Sequence, residues 1–540
     1  MKKILTFIAV MAITCNLFAG GLVTNSNHSA MYTRLQNRNA STGIDAVYYN
    51  PAGVTKLGNG LFVSVNNQTI SQTKRVTTTY PFISGSPKEY VGNVSAPIYP
   101  GIYAAYNVGD FSFSAGFNPI GGGGSAKYND GLPSFEMPIS AIPSALSSQG
   151  ISTDNYSADI FFEGSSIYFG YQANLAYKIN EQISVGAGVR IVSAKNTYNG
   201  SIRNIQINPS YSGFGLYGEM ISATQFFKDA NTMFSLLATN ATAMATGLTA
   251  SGLPAETPIT ALPAEQQTQI AQLLGAAHPT IIFPEINVGG AIEALNAASP
   301  IFAAKAQAMA VNAVATQDTY VDAEQTGTGY TPILSINYRT PCDKFNFSLR
   351  YEFKTKLELT TKVFDNKGAG IFVDGKKIIA DMPAMLAIGT EFKPIDRLAV
   401  AASFNTYFDK NVDYSNGENI DMIKRNYIEY GLGVEYGFTD KLRASAGWLR
   451  TRTGVLPDYQ NDQRFSSNSN GFGFGVGYRI SPLIDLNIGG QYTINASYDK
   501  TPLILHPADM RYNLNPYYTE TYNKETFIVG IGLDFYFGRK

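Results

Sequence analysis

Cysteine, tryptophan, histidine and charge are all scarce in this chain. Its 540 residues include two cysteines, one tryptophan and three histidines, and charged residues make up 15%. Soluble domains carry about 25% charge. No stretch approaches the roughly 20 consecutive apolar residues of a membrane-spanning helix, which excludes a helical anchor. The formal net charge is −1 with no basic cluster, so nucleic acid is not an expected partner. His28, His278 and His506 lie in three separate regions without ligand spacing, and no Ser–His pair sits in a hydrolase motif. Neither an enzyme nor a metal or other cofactor is expected.

Aromatics and glycine are abundant: Tyr 34, Phe 32 and Gly 51, beside an ordinary 44% hydrophobic content. That balance suits a β protein with one face to lipid. The first residues read as a secretory signal over 1–19. Lys2 and Lys3 precede an apolar Ile4 to Ile13, and Leu17-Phe18-Ala19 precedes a cut before Gly20. Ala12-Ile13-Thr14 before Cys15 matches a lipidation site poorly. The mature chain then keeps one cysteine, Cys342, in the turn Thr340-Pro341-Cys342-Asp343-Lys344, and no internal disulfide is possible.

From residue 59 onward the pattern has period two. Phe345, Phe347, Leu349, Tyr351, Phe353, Leu357, Leu359 and Val363 share one parity. Asn346, Ser348, Arg350, Glu352, Lys354, Lys356, Glu358 and Lys362 share the other, so the spacing predicts one strand with an apolar and a polar face. Fourteen such runs are expected, near 59–79, 100–107, 111–118, 161–178, 182–200, 330–339, 345–363, 384–393, 397–408, 426–437, 441–451, 471–480, 484–500 and 525–537. Short turns alternate with long links at 80–99, 119–160, 201–329, 364–383, 409–425, 452–470 and 501–524. Short turns on one side and long loops on the other predict an all-β fold, a transmembrane antiparallel 14-stranded β-barrel in the outer membrane.

Two regions depart from this pattern. Residues 20–58 have no alternating run, and 44–54 are too apolar for a loose tail. Residues 201–329 change period, and helices are expected near Ala223 to Leu237, Ala264 to Leu274, Ala291 to Ala298 and Ile301 to Ala315. The last two are separated at Ser299-Pro300. Long loops with structure of their own are usually functional.

Ala46-Val47-Tyr48-Tyr49-Asn50-Pro51-Ala52-Gly53 resembles the NPAG element of the FadL/TodX family of outer-membrane transporters for hydrophobic compounds. The resemblance spans nearly the whole mature chain. More loosely, Tyr338-Arg339 through Tyr351-Glu352-Phe353-Lys354 is similar to a family hairpin. The resemblance implies an N-terminal hatch, 20–58, folded inside the barrel of 59–540. It places the turn Asn50, Pro51, Ala52 and Gly53 in that hatch, and Val47, Tyr48 and Tyr49 then become hatch packing. Gly58-Asn59-Gly60 is the expected hinge into the first strand.

The resemblance also implies passive uptake of a long-chain fatty acid or other hydrophobic small molecule. Capture falls to the long third and fourth loops, where Phe226, Phe227, Met233, Phe234, Leu236, Leu237, Ile371 and Phe372 are groove candidates. Release runs through a gap in the wall at a kinked third strand. Phe117, Asn118, Pro119 and Gly121 are the candidates there, because proline and the Gly121 to Gly124 run break ladder pairing. Implied partners are outer-membrane lipid and the barrel-insertion machinery, with a monomeric chain. Phe537 is the last aromatic, trailed by Gly538-Arg539-Lys540. The alternative is a surface adhesin or ligand-binding barrel using loop 201–329, and a general porin fits less well.

Gly471-Phe472-Gly473-Phe474-Gly475-Val476-Gly477 lacks the strand-to-helix context of a dinucleotide site. It reads as a strand with Phe outward and Gly inward, where a segment inside the barrel can approach closely.

Overall fold

The structure, a computed structural model, describes residues 27–212, 215–277, 286–367, 370–413, 420–504 and 517–537. The expected signal sequence, His278 and His506 lie outside the described residues. Fourteen antiparallel strands close into a barrel. They are β1 Gly60–Thr78, β2 Lys88–Val108, β3 Phe111–Tyr128, β4 Tyr156–Lys178, β5 Ile183–Ile207, β6 Thr319–Arg339 and β7 Phe345–Glu352. The others are β8 Met385–Ile395, β9 Leu398–Tyr407, β10 Tyr427–Gly437, β11 Leu442–Arg452, β12 Ser469–Ser481, β13 Ile484–Asn495 and β14 Tyr517–Phe537. Closure comes from β1 pairing with β14, Leu61 opposite Phe537 through Thr78 opposite Glu520. No described helix is long and apolar enough to cross a membrane.

Alternation sets which face meets what. Leu334, Ile336, Tyr338, Phe347, Leu349, Phe472 and Phe474 are exposed on the outside. Asn337, Asn346, Ser348, Arg350 and Glu352 are buried inside. An apolar exterior around a polar interior is the pattern of a barrel in lipid.

Three sequence expectations are corrected. The run 345–363 is not one strand. β7 ends at Glu352 and Glu358–Asp365 resumes the wall against β6. Glu352 pairs with Ile333, but Thr360 pairs with Thr326, so the β7 side carries one extra residue between them. One extra residue flips every side chain beyond it. Leu357 and Leu359 therefore turn inward and are buried, while Lys356, Glu358 and Lys362 are exposed.

β2 and β3 are also longer than expected, running through Pro97, Pro100, Pro119 and the glycine run. Both prolines of β2 lie where its ladder toward β3 is interrupted, and Pro119 lies in the matching stretch of β3. There a missing N–H costs little.

The third correction concerns the helices of the 201–329 loop. They are α5 Ala223–Ala250, α6 Ala264–Ala277 and α7 Val288–Ala315. Ahead of them in the chain come α1 Ala30–Arg34 and α2 Ala46–Tyr49, and α3 Pro133–Ser140 and α4 Ile142–Ser147 in the second loop. α7 is continuous through Pro300. Packing against α5 outweighs the one lost bond. Ser299 Oγ reaches across to Ala238 O at 3.1 Å and to Thr242 Oγ1 at 2.8 Å. α5 continues past Leu237 because Ala241, Ala245 and Leu248 are buried in the core it shares with α6 and α7, while its threonine hydroxyls bond carbonyls four residues earlier, Thr239 to Ser235 and Thr246 to Thr242.

Candidate functional site

Residues 27–57 lie against the inward faces of the strands. α1 contacts β12, β13 and β14, and the 3-10 turn Pro51–Leu57 contacts β4, β5 and β6. Local chemistry explains the turn. Asn50 caps it, Oδ1 accepting from Gly53 N at 3.3 Å. Its Nδ2 donates to Ser41 O (2.9 Å) and to Asn337 Oδ1 on β6 (2.7 Å). Ala52 N donates to Ser335 Oγ at 2.9 Å, and Ser184 Oγ donates to Ala52 O at 2.8 Å. A Cβ at Gly53 would lie 2.2 Å from Asn50 Nδ2, so the position admits only glycine. Gly58 has φ +81°, in the left-handed region, at the exit into β1.

Val47, Tyr48 and Tyr49 are buried. Gln172 Nε2 and Asn174 Nδ2 hold Val47 O at 2.9 and 3.1 Å. The Tyr48 ring sits between two guanidinium groups, Arg190 at 4.6 Å and Arg350 at 4.9 Å. Arg190 makes a two-pronged pair with Glu352 at 2.6 and 2.9 Å. Tyr49 stacks on Tyr32 with centroids 5.9 Å apart. A second buried pair holds the preceding turn: Arg38 Nε and Nη2 reach Asp45 Oδ2 and Oδ1 at 2.8 and 2.9 Å.

The seat on the far wall is made of glycines. A Cβ at Gly473 would stand 2.7 Å from Thr33 O, and one at Gly489 would stand 2.6 Å from Thr33 Oγ1. Gly471, Gly473 and Gly475 face inward here, with Phe472 and Phe474 exposed outside. Arg34, fully buried, ion-pairs with Glu435 and donates to Ser445 Oγ at 2.8 Å.

Between β2 and β3 the ladder is broken. β2 and β3 pair from Gly92–Tyr128 to Ser95–Ser125, then only again from Ile102–Phe117. Residues 96–101 and 118–124 have no rungs between them. β3 stays paired to β4 through this stretch, with shifts at Pro119/Gly121 and Gly122/Gly124. A Cβ at Gly122 would lie 2.1 Å from Ser166 O. Of the residues expected here, Phe117 stacks on Phe169 at 5.6 Å and Asn118 is buried. Pro119 and Gly121 lie on the unpaired edge.

The break is closed from inside. Tyr99 Oη donates to Pro119 O at 2.9 Å. His28 Nδ1 lies 3.0 Å from the same carbonyl and 2.9 Å from Asn118 Nδ2. Tyr103 Oη donates to His28 O, and the His28 ring lies 4.1 Å from that of Tyr48. Sequence reasoning passed over His28 because its partners at the break, Asn118 and Pro119, are 90 and 91 residues away. Above the segment a cavity of about 290 Å³ is lined by Asn27, Tyr32, Ile70, Leu449, Lys524 and Ile528 among others. Phe465, Ser466 and Ser467 of the 453–468 loop line it as well.

Of the expected groove residues, Phe226, Phe227 and Phe234 share one apolar cluster, Phe234 and Leu237 meet a second, and Ile371 and Phe372 lie in a third. Phe226 and Phe227 are buried against Ile207 and Met309. Phe234 stacks on Phe302 at 6.5 Å. Met233 is half-buried, and Leu236 is exposed. Leu237 lines a cavity of about 670 Å³ between α5 and α6. Phe372 packs on Tyr198 at 4.8 Å with Ile371 beside it in a separate cluster.

No family model matches the chain, and no curated protein matches it. Among solved structures, a FadL homologue from Pseudomonas aeruginosa is 12% identical. The match covers 95% of this chain and 99% of that one, with a TM-score of 0.55. This chain has the fold of that FadL homologue. The Pseudomonas putida toluene transporter TodX (13% identity, 95% and 99% covered) and the Ralstonia pickettii toluene transporter TbuX (14%, 92% and 94%) score lower, at 0.48 and 0.45.

Proposed function

We propose that the protein is a passive outer-membrane transporter of hydrophobic compounds, with fatty acids among its substrates. The observation that carries this is the broken β2–β3 ladder closed from within by His28 and Tyr99. Unpaired backbone at membrane depth is tolerated only where protein covers it or it lines a passage. The break opens beside Ile98, which is 75% exposed outside. A compound in the 290 Å³ cavity meets Asn27, and the next residue is His28 at the break. In this reading residues 27–57 are the hatch. A shift at His28 frees Pro119 and opens a sideways exit into lipid, which spares an apolar molecule the aqueous lumen. Apolar contacts along the way bind by burying area, at about 25 cal/mol per Å².

The test is accumulation of a hydrophobic dye or labelled fatty acid in proteoliposomes, with ion conductance measured alongside. Uptake without a steady conductance is expected. A large steady conductance and no uptake would favour a porin.

A second reading rests on the α5–α7 domain, which has its own apolar core and a 670 Å³ cavity. It would make that domain a surface-binding module. Deleting residues 221–317 separates the two. As a capture element its loss slows uptake several-fold, whereas as an adhesive module its loss leaves uptake unchanged.

A further inference from the structure

We propose that the outer face of β10 and β11 holds a phosphorylated glycolipid of the outer leaflet, the lipid A class, through Arg450 and Arg452. This rests on the outer-membrane placement in the reading above. Side chains alternate along β11. Arg443 pairs with Asp485, and Leu449 and Thr451 line the 290 Å³ cavity, so these three point inward. Arg450 and Arg452 therefore stand on the outside, in line with Trp448. Two residues apart on one strand, they leave the wall about 7 Å from each other. Arg425 reaches the same spot, its Nη2 and Nε donating to Thr453 O at 3.1 and 3.4 Å, one residue beyond Arg452. Lys424 N donates to Gly454 O at 2.9 Å, which sets a fourth cation at this end of the strand pair. It is the end that carries the long loops and so faces outside.

The wall supplies no acid to balance them. Across the ladder Arg450 faces Tyr430 and Asn470, Arg452 faces Ile428, and the next strand offers Phe404 and Thr406. Glu429 lies between on β10 but points into the cavity. Asp421, three residues before Lys424, is exposed. Neither it nor any of the four cations forms an ion pair among the described residues. Arg75 on the outer face of β1 is the contrast, flanked by Glu89 at 3.9 Å and Glu525 at 3.8 Å. On the membrane side of the arginines lies an aromatic floor. Tyr430 and Trp448 meet edge to face with centroids 6.0 Å apart, and Trp448 Nε1 donates to Asn470 Oδ1 at 3.2 Å. Phe404 and Phe472 are exposed beside them. Trp and Tyr mark the headgroup level of a membrane. Guanidinium forks at that level match phosphate oxygens in two-pronged fashion, and the rings below take the acyl chains. Unpaired arginines on a lipid-facing wall gain their counter-charge from anionic lipid, which a zwitterionic headgroup does not supply.

Trp448 is the only tryptophan in the chain, so its emission reports this spot. The test reconstitutes the full chain in vesicles of brominated phosphatidylcholine, which quench that emission. Unbrominated lipid A, lipid A stripped of its phosphates, or unbrominated phosphatidylcholine is then included at equal mole fraction. Relief of quenching measures how each competes for the wall beside Trp448. Wild type is expected to favour lipid A over phosphatidylcholine roughly tenfold or more, and the dephosphorylated form to lose that advantage. Arg450→Gln/Arg452→Gln is expected to bring the preference close to one, whereas Arg75→Gln keeps it. Equal quenching of the double variant and wild type in brominated phosphatidylcholine alone shows that both barrels are seated alike, so a lost preference is not a failure to fold. Preference retained by the double variant, or shared by lipid A without phosphates, would overturn the inference. So would displacement of lipid A by millimolar inorganic phosphate, which would mark a site for free anions. Dye uptake with no preference for lipid A sinks this inference alone. If brominated lipid does not quench Trp448 and no dye is taken up, the membrane-transport reading itself falls.

Discussion

Asp45→Ala is expected to convert a sealed barrel into an ion-conducting one. Arg38 and Asp45 are 6% and 4% exposed and meet through two short N–H···O bonds. Ser41 Oγ binds both, at 2.6 Å to each. Removing the carboxylate leaves a buried guanidinium without its counter-charge, with Ser41 Oγ still accepting from it. Breaking a buried pair in this way costs about 3–5 kcal/mol. The strands keep their ladders, so the cost falls on the seating of residues 27–57. Single-channel recording should show sustained openings in the variant and none in wild type. Arg38→Ala added to Asp45→Ala should reverse part of the effect, because the stranded charge is then gone. Unchanged conductance in Asp45→Ala would show that the segment does not depend on this pair.

Glu352→Ala is expected to have the largest effect on stability. One carboxylate faces two guanidinium groups, Arg190 at 2.6 Å and Arg350 at 3.5 Å. Both cations also flank the Tyr48 ring. Without Glu352 two like charges remain in a buried cluster, and only Gln172 Oε1 still accepts from Arg190, at 3.0 and 2.7 Å. The loss is estimated at about 3–5 kcal/mol, typical of an orphaned buried charge. Thermal melting followed by β-sheet circular dichroism checks it. Glu352→Gln, which keeps two polar contacts, should fall between Ala and wild type. A melting temperature equal to wild type would place these arginines in contact with water that the packing does not suggest.

Strand identity was legible because the period-two pattern and the apolar outer face share one cause, the lipid. Phe472 and Phe474 outward with Gly471 and Gly473 inward followed directly from that alternation. The slip after Glu352 was not legible. Leu357 and Leu359 keep the parity of Phe353, and a single extra residue in the wall leaves no mark in composition. Proline misled at Pro300, which read as a helix break, yet packing against α5 outweighs its lost N–H and the helix runs through it. The Asn50 cap was readable because its chemistry spans three residues. The seat of Arg34 was not, since its partner Glu435 lies 401 residues away. The break between β2 and β3 was half-visible. The sequence located Pro119 and Gly121, but nothing in it named Tyr99 or His28 as the groups that close the opening.

The central claim is that a hydrophobic compound leaves sideways between β2 and β3. Tyr99 and Pro119 face each other across that break, with Tyr99 Oη 2.9 Å from Pro119 O. The most direct measurement is uptake by Tyr99→Cys/Pro119→Cys in a Cys342→Ser background, joined by a cleavable bis-maleimide. A lateral exit predicts that the cross-link lowers uptake about tenfold or more, or roughly 1.4 kcal/mol on the limiting step, and that cleaving it restores the original rate. Uptake unchanged by the closed cross-link would contradict a sideways route and require passage through the lumen.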